Sequence, residues 1–116
     1  MNYSIITPIK NEEKYIEGTI VSVLNQTYLP DKWLIINDHS TDSSASIINN
    51  YIQEYDFIKQ INAPTIELNE LSARIAYLIN YAFGKLSKNN GLILKLDGDV
   101  ILSNNYCESI ISNFDK

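Results

Sequence analysis

The sequence predicts an α/β fold with a mainly parallel four-stranded sheet flanked by helices. Two observations carry the prediction. Short β-branched runs, apolar on both faces, alternate with segments whose apolar residues recur at helical spacing. Polar and acidic residues gather where the apolar runs end, and that edge is where parallel sheets of this kind bind ligands.

The first run, YSIITPI at 3–9, is apolar in successive positions and reads as a strand buried on both faces. Residues 11–27 follow as a helix. Ile16, Ile20, Val23 and Leu24 share one face, and Glu12 and Glu13 suit the positive end of a first turn. YLPD at 28–31 breaks this helix with a proline. WLIIND at 33–38 is the second buried strand. Residues 40–55 open on capping residues and carry Ile48, Tyr51, Ile52 and Tyr55 as a helical stripe. FIKQINA at 57–63 reads as a third strand and PTIELNE at 64–70 as a loop. A third helix over 71–86 has Leu71, Ile75, Leu78, Ile79, Ala82, Phe83 and Leu86 as its apolar face. KNNG at 88–91 turns the chain into LILKLD at 92–97, the fourth strand, and residues 103–114 close as a helix. The helical tyrosines Tyr15, Tyr51, Tyr55, Tyr77, Tyr81 and Tyr106 read as the edges of amphipathic faces, not as site residues.

The chain has 116 residues, 45% of them hydrophobic and 20% charged, which fits one domain over 1–116 with one real core. The formal charge is −5, and Lys85 and Lys88 form only a small basic pair. Nucleic-acid binding needs a basic footprint, and none is visible. An anionic ligand would then be received by a metal or by helix amides. Cys107 is the sole cysteine, which excludes an internal disulfide and a Cys-rich metal site and fits a reducing compartment. The first residues lack a signal-peptide pattern, and no apolar run approaches the ~20 residues of a membrane helix. The expectation is a cytoplasmic protein, with a peripheral place at the inner membrane face open for a longer form.

The chemistry is expected at the strand ends. Asp97 and Asp99 flank Gly98 after an apolar run. In extended backbone their side chains would share one side, roughly 6–7 Å apart along the chain. Two hard oxygen donors with positions left for water and phosphate suit Mg²⁺ or Mn²⁺, and such an ion could stabilise a departing diphosphate. A solvated Asp-Gly turn is the plainer reading, and the acidic setting favours metal. Asp38, at the end of the second strand, could accept from a ligand N–H or cap the next helix, where Ser40 and Thr41 compete. Arg74 could reach a phosphate or base, or simply face solvent. Glu12 could bond a ribose or base, or act only on a helix dipole. His39, the sole histidine, reads first as a surface or packing residue.

Taken in order, Thr7-Pro8, then Asn11-Glu12-Glu13, SVLNQTY at 22–28, INDHSTD at 36–42 and ILKLDGDVIL at 93–102 resemble the family 2 glycosyltransferases. The likeness covers nearly the whole chain. It implies the Rossmann-like GT-A fold, of which this chain would be the nucleotide-sugar-binding half. It also implies sugar transfer, with inversion, from a nucleotide-diphosphate sugar to an acceptor hydroxyl. By the same resemblance Thr7 and Pro8 lie against the nucleoside, with Glu12 near it. Asp38 contacts base or ribose, Arg74 lies near base or phosphate, Asp97 lies near ribose and metal, and Asp99 is the direct metal ligand. The implied donor is a UDP-sugar in preference to a GDP- or dTDP-sugar, and the implied cofactor is Mn²⁺ or Mg²⁺.

Three departures stand out. Asn37 occupies a position often held by Asp, His39 one where Gly or Asn is common, and NAPTIELNELSAR at 62–74 lacks a glycine frequent there. The family's acceptor site and catalytic base lie beyond the D-x-D segment, so no general base can be named and a truncated enzyme is expected. Two other classes stay in view. One is a non-catalytic nucleotide-binding or assembly module of the same fold; under any reading, apolar surface left uncovered by a missing C-terminal half would favour a homo-oligomer. The other is a sugar nucleotidyltransferase, disfavoured because TPIKNEEKY at 7–15 has no glycine-rich phosphate loop.

Overall fold

The computed structural model of the protein describes residues 1–86 and 91–115. The element order is β1 (Tyr3–Ile9), α1 (Ile16–Leu24), β2 (Lys32–Asn37), α2 (Ser44–Ile52), β3 (Ile58–Asn62), α3 (Leu71–Phe83), β4 (Leu92–Lys95) and α4 (Tyr106–Phe114). The four strands form one parallel sheet in the order β3-β2-β1-β4. The first crossovers build the sheet outward from β1 through β2 to β3. The chain then returns through α3 to place β4 on the other side of β1. That reversal of direction is a switch point, and it opens a crevice beyond the carboxyl ends of β1, β2 and β4.

The strands form because their residues have two apolar faces to bury. On one face Tyr3, Ile5, Ile9, Trp33, Ile35 and Ile58 pack with Ile16, Ile20 and Val23 of α1, Ile48 of α2 and Cys107 and Ile111 of α4. On the other, Ile6, Leu34 and Ile36 pack with Ala63 and with Leu78 and Ala82 of α3. Each fully buried Ile or Leu contributes about 1.5–3 kcal/mol relative to exposure. Two registered pairs, Ile5 with Trp33 and Ile6 with Leu34, show the alternation that sends successive residues to opposite faces.

Several helices are shorter than the sequence pattern suggests. The helix expected from 11 begins at Ile16, so Glu12 and Glu13 lie in the preceding turn and not in its first turn. The reason is Asn11, whose φ of 54° is left-handed and incompatible with a continuing right-handed helix. The second helix starts at Ser44, because residues 40–43 bond across to residues 11–13. The third starts where expected, capped by Glu70, whose carboxylate accepts from the N–H groups of Ser72 and Ala73. Its expected apolar face needs correction. Leu78 and Ala82 are buried, but Leu71 and Phe83 are 69% and 60% exposed, because one helix on that face meets the sheet along a narrow stripe. Tyr15, Tyr77 and Tyr106 are likewise exposed, while Tyr51 and Tyr55 pack against the core. Of the turn expected at 88–91, only Gly91 lies within the described residues; it has a φ of 66°, and a side chain there would strike Asn2. Lys88 lies outside them. Among the described residues, no helix is long and apolar enough to cross a membrane.

Candidate functional site

A cavity of about 630 Å³ lies at the carboxyl ends of β1, β2 and β4, on the α3 side of the sheet. Pro8, Lys10 and Glu12 enter it from the end of β1, Asp38 from the end of β2, and Lys95, Asp97, Gly98 and Asp99 from the end of β4. The fourth wall is α3 and the loop before it, with Leu68, Asn69, Leu71, Arg74, Ile75 and Leu78. The fold thus brings Pro8, Glu12, Asp38, Arg74, Asp97 and Asp99 to one cavity.

Thr7 is not brought there. Alternation along β1 points its side chain to the opposite face, where it is fully buried and its hydroxyl accepts from Trp33 Nε1 at 2.9 Å. The nucleoside contact implied for Thr7 therefore does not come from its side chain, whereas its neighbour Pro8 does line the cavity.

Asp38 is placed by backbone. Its N–H donates to the Ile9 carbonyl at 2.8 Å and prolongs the β1–β2 ladder by one bond. Its side chain is only 7% exposed, and its carboxylate accepts from Arg74 Nε at 2.6 Å and from a terminal guanidinium nitrogen at 2.5 Å. This paired geometry between a carboxylate and a planar guanidinium is strong and directional. Both alternatives for these two residues give way: Asp38 does not cap α2, and Arg74 does not face solvent. The hydrogen bonds from Arg74 hold the Asp38 carboxyl below its ordinary range, against the opposing effect of burial. Arg74 also donates to the carbonyls of Ile66 at 3.3 Å and Leu68 at 3.2 Å, tying the loop wall to α3.

Asp97 and Asp99 do not sit in an extended strand. β4 ends at Lys95, and the two aspartates lie in a turn in which Val100 N–H approaches the Asp97 carbonyl at 3.4 Å. Gly98 is required by packing: a Cβ there would lie 2.8 Å from Ile9 Cγ2 and 3.5 Å from Glu12 Cγ. This close approach seats the turn against the end of β1. Asp97 pairs with Lys95, both side chains being roughly half exposed. Burial, with the negative charges of Asp99, Asp42 and Asp97, pushes the Glu12 carboxyl above its ordinary range. Among the described residues no three His, Cys, Asp or Glu side chains converge as a complete metal cage. Asp97 and Asp99, with Glu12 beside them, could still offer two carboxylates to Mg²⁺ or Mn²⁺, which take few protein oxygens and fill the remaining positions with water and phosphate.

Lys10 and Lys95 were not legible as site residues, yet both line the cavity with Arg74. Arg74 and Lys95 are paired with Asp38 and Asp97, and Lys10 adds a further cation beside them. The signal was their place beside the strand ends. His39 lies outside the cavity lining, exposed and left-handed at a φ of 59°, with Nε2 3.5 Å from the Pro64 carbonyl. The left-handed backbone accounts for the smaller residues common at this position in the resembling family. Asn37 has an evident use here: its Nδ2 donates to Gln60 Oε1 while its Oδ1 accepts from Ser40 N–H, a double role that an aspartate lacks. Cys107 is fully buried, and burial pushes its thiol up, so it behaves as a small apolar residue.

Comparison with known proteins identifies the family and the fold. The model of Glycosyl transferase family 2 matches residues 4–116. A Bacillus subtilis protein named "Probable glycosyltransferase YdaM" is 31% identical over 100 residues, which cover 84% of this chain and 21% of that protein. Residues 1–349 of TarS from S. aureus, solved in complex with UDP, align with a TM-score of 0.80 at 23% identity over 99% of this chain and 32% of that one. The mannosyltransferase PcManGT from Pyrobaculum calidifontis, solved with GDP-Man and Mn²⁺, aligns at 0.68 and 17% identity over 84% of this chain and 27% of that one. At these identities the two structures establish the fold, and the chain spans a third or less of each protein it resembles. The family match extends from the first strand through the turn that bears Asp97 and Asp99, and the chain belongs to glycosyl transferase family 2.

Proposed function

We propose that the cavity binds a nucleotide-diphosphate sugar, with UDP as the favoured nucleotide, and that the full protein transfers the sugar to an acceptor hydroxyl. The observation that carries this is the division of the cavity. Asp38 and Arg74 line it at the β2–α3 end, Asp97 and Asp99 at the β4 end, and Glu12 and Lys10 lie on the β1 turn. The first pair suits the nucleoside, offering directional hydrogen bonds, with Pro8 as an apolar floor. The second suits the diphosphate, with Lys10 and Lys95 as further cations. TarS, which shares the fold, has been solved with UDP and with UDP-GlcNAc, and this supports UDP as the first nucleotide to test.

Asp99 and Asp97 would hold a divalent cation, which supplies charge neutralisation for the leaving diphosphate. The chain's own residues bind and orient. Arg74 keeps Asp38 ionised and fixed, so its oxygens present a set direction to a donor on the base. Buried Leu78 and half-buried Ile75 exclude water from that end. Preorganisation of this kind lowers the entropy lost on binding and places the sugar for attack. None of these residues is assigned as general base.

The test is calorimetric titration of UDP and GDP into this chain with Mn²⁺ or with EDTA, alongside Asp97→Asn/Asp99→Asn. UDP binding that needs Mn²⁺ and disappears in the double variant is the expected result. Binding unaffected by EDTA and by the variant would overturn the metal assignment. Absence of binding by either nucleotide would overturn the donor reading.

A further inference from the structure

The turn after β1 and the loop after β2 are joined by reciprocal hydrogen bonds that the cavity itself does not use. Three backbone N–H groups of the first turn donate to side chains of the second loop and the first residue of α2: Asn11 to Ser40 Oγ at 2.9 Å, Glu12 to Ser44 Oγ at 2.9 Å and Glu13 to Asp42 Oδ2 at 3.1 Å. Three in the second loop donate back. Thr41 and Asp42 reach Asn11 Oδ1 at 2.8 and 3.3 Å, and Ser43 reaches Glu13 Oε2 at 3.0 Å. Asn11 is the hinge of this exchange. It is left-handed, with a φ of 54°, one of two non-glycine residues so placed among the described residues, and it takes part in both directions of bonding.

Left-handed backbone at a non-glycine residue is retained only where the surroundings hold it, and such positions cluster beside functional sites. The two segments joined here carry Lys10 and Glu12 on one side and Asp38 on the other, which are cavity residues. Asn11 itself does not line the cavity. From this we infer that Asn11 is a positioning residue for the nucleotide cavity: its amide oxygen clamps the β2–α2 loop to the β1–α1 turn and sets the separation of Glu12 and Asp38. The inference rests on the cavity being the nucleotide site. Asn is suited to the task because it tolerates the left-handed region and carries an acceptor that is uncharged beside Asp42 and Glu13.

The test compares Asn11→Gly, which keeps the backbone conformation and removes the amide, with Asn11→Asp, which keeps an acceptor oxygen. Ile58→Val serves as a control that lowers thermal stability from the far strand. Three readouts are used: UDP affinity with Mn²⁺, the thermal midpoint, and amide hydrogen exchange at Thr41 and Asp42 in the nucleotide-free chain. Asn11→Gly is expected to weaken UDP by about tenfold, the scale on which residues that orient ligating groups act. It should also speed exchange at Thr41 and Asp42. Asn11→Asp should bind UDP more tightly than Asn11→Gly but less tightly than the native chain, because its charge stands beside Asp42 and Glu13, and Ile58→Val should lower the midpoint while leaving UDP affinity within about twofold. If Asn11→Gly loses exchange protection yet binds UDP as the native chain does, or if Ile58→Val weakens UDP equally, the positioning role is overturned. A native chain that binds no UDP would overturn the functional reading instead. In that case exchange at Thr41 and Asp42 still decides the clamp, and equal rates in the native chain and Asn11→Gly would overturn it.

Discussion

The two faces of the sheet are built differently. Under α1, α2 and α4 the face is closed apart from a smaller cavity of about 180 Å³ beside β4: Tyr3, Ile5, Trp33, Ile35 and Ile58 have no exposed surface, and the polar Thr7 hydroxyl is matched to Trp33. Under α3 one helix covers the middle of the sheet, and the space left at the strand ends is the cavity. The closed face stabilises the fold by burial. The open face gives up some burial and gains a place for polar and charged groups that can meet a ligand. A stable ligand-binding domain needs both, because a face packed throughout would leave no room for a ligand.

This division can be tested from its strongest consequence to its weakest. Ile35→Ala on the closed face should cost about 2–5 kcal/mol in urea unfolding, since it removes a fully buried side chain and leaves a void. An effect below 1 kcal/mol would show that face to be looser than described. Thr7→Val should cost about 1–3 kcal/mol, because the buried Trp33 N–H loses its acceptor. It should leave UDP affinity unchanged in calorimetry; a large loss would return Thr7 to the nucleotide.

The next effect lies on the open face and depends on pH. The Asp38 carboxyl titrates below its unfolded value of about 3.9, so its pairing with Arg74 stabilises the fold fully above that pH. The contribution is lost as pH falls through the lowered folded value. Arg74→Gln should therefore be less stable than the native chain at pH 7, and the gap should narrow as the pH is taken below about 4. A gap that stays constant with pH would remove Asp38 as its cause. The smallest effect is expected from Leu71→Ala, which should change stability by no more than about 0.5 kcal/mol because Leu71 is 69% exposed. Leu71 also lines the cavity mouth, so a weakened UDP affinity without lost stability would mark it as a ligand contact.

Much of the architecture could be read in advance because it depends on local pattern. Runs such as YSIITPI and WLIIND carry apolar, β-branched residues on both faces, and a strand with both faces covered satisfies them. Helix starts were harder. The pattern continues back to residue 11, but Asn11 and the bonds it makes to residues 29–31 positions away make the helix begin later than amphipathicity suggests. Spacing overstates the covered face of α3 for a related reason: it shows which residues share a side, and only the width of the packed partner decides how many of them are covered.

For the site, the sequence by itself determined that Glu12, Asp38, Asp97 and Asp99 stand at strand ends, and parallel strands bring those ends to one edge. Tertiary structure decided the rest. It turned Thr7 inward and Pro8 outward, set Arg74 on Asp38 across 36 residues of chain, and brought Lys10 and Lys95 to the same cavity. Periodicity is a property of neighbouring residues. Which face of a strand meets the cavity, and which distant side chain meets which carboxylate, are fixed only when strands pair in register and α3 crosses back over the sheet.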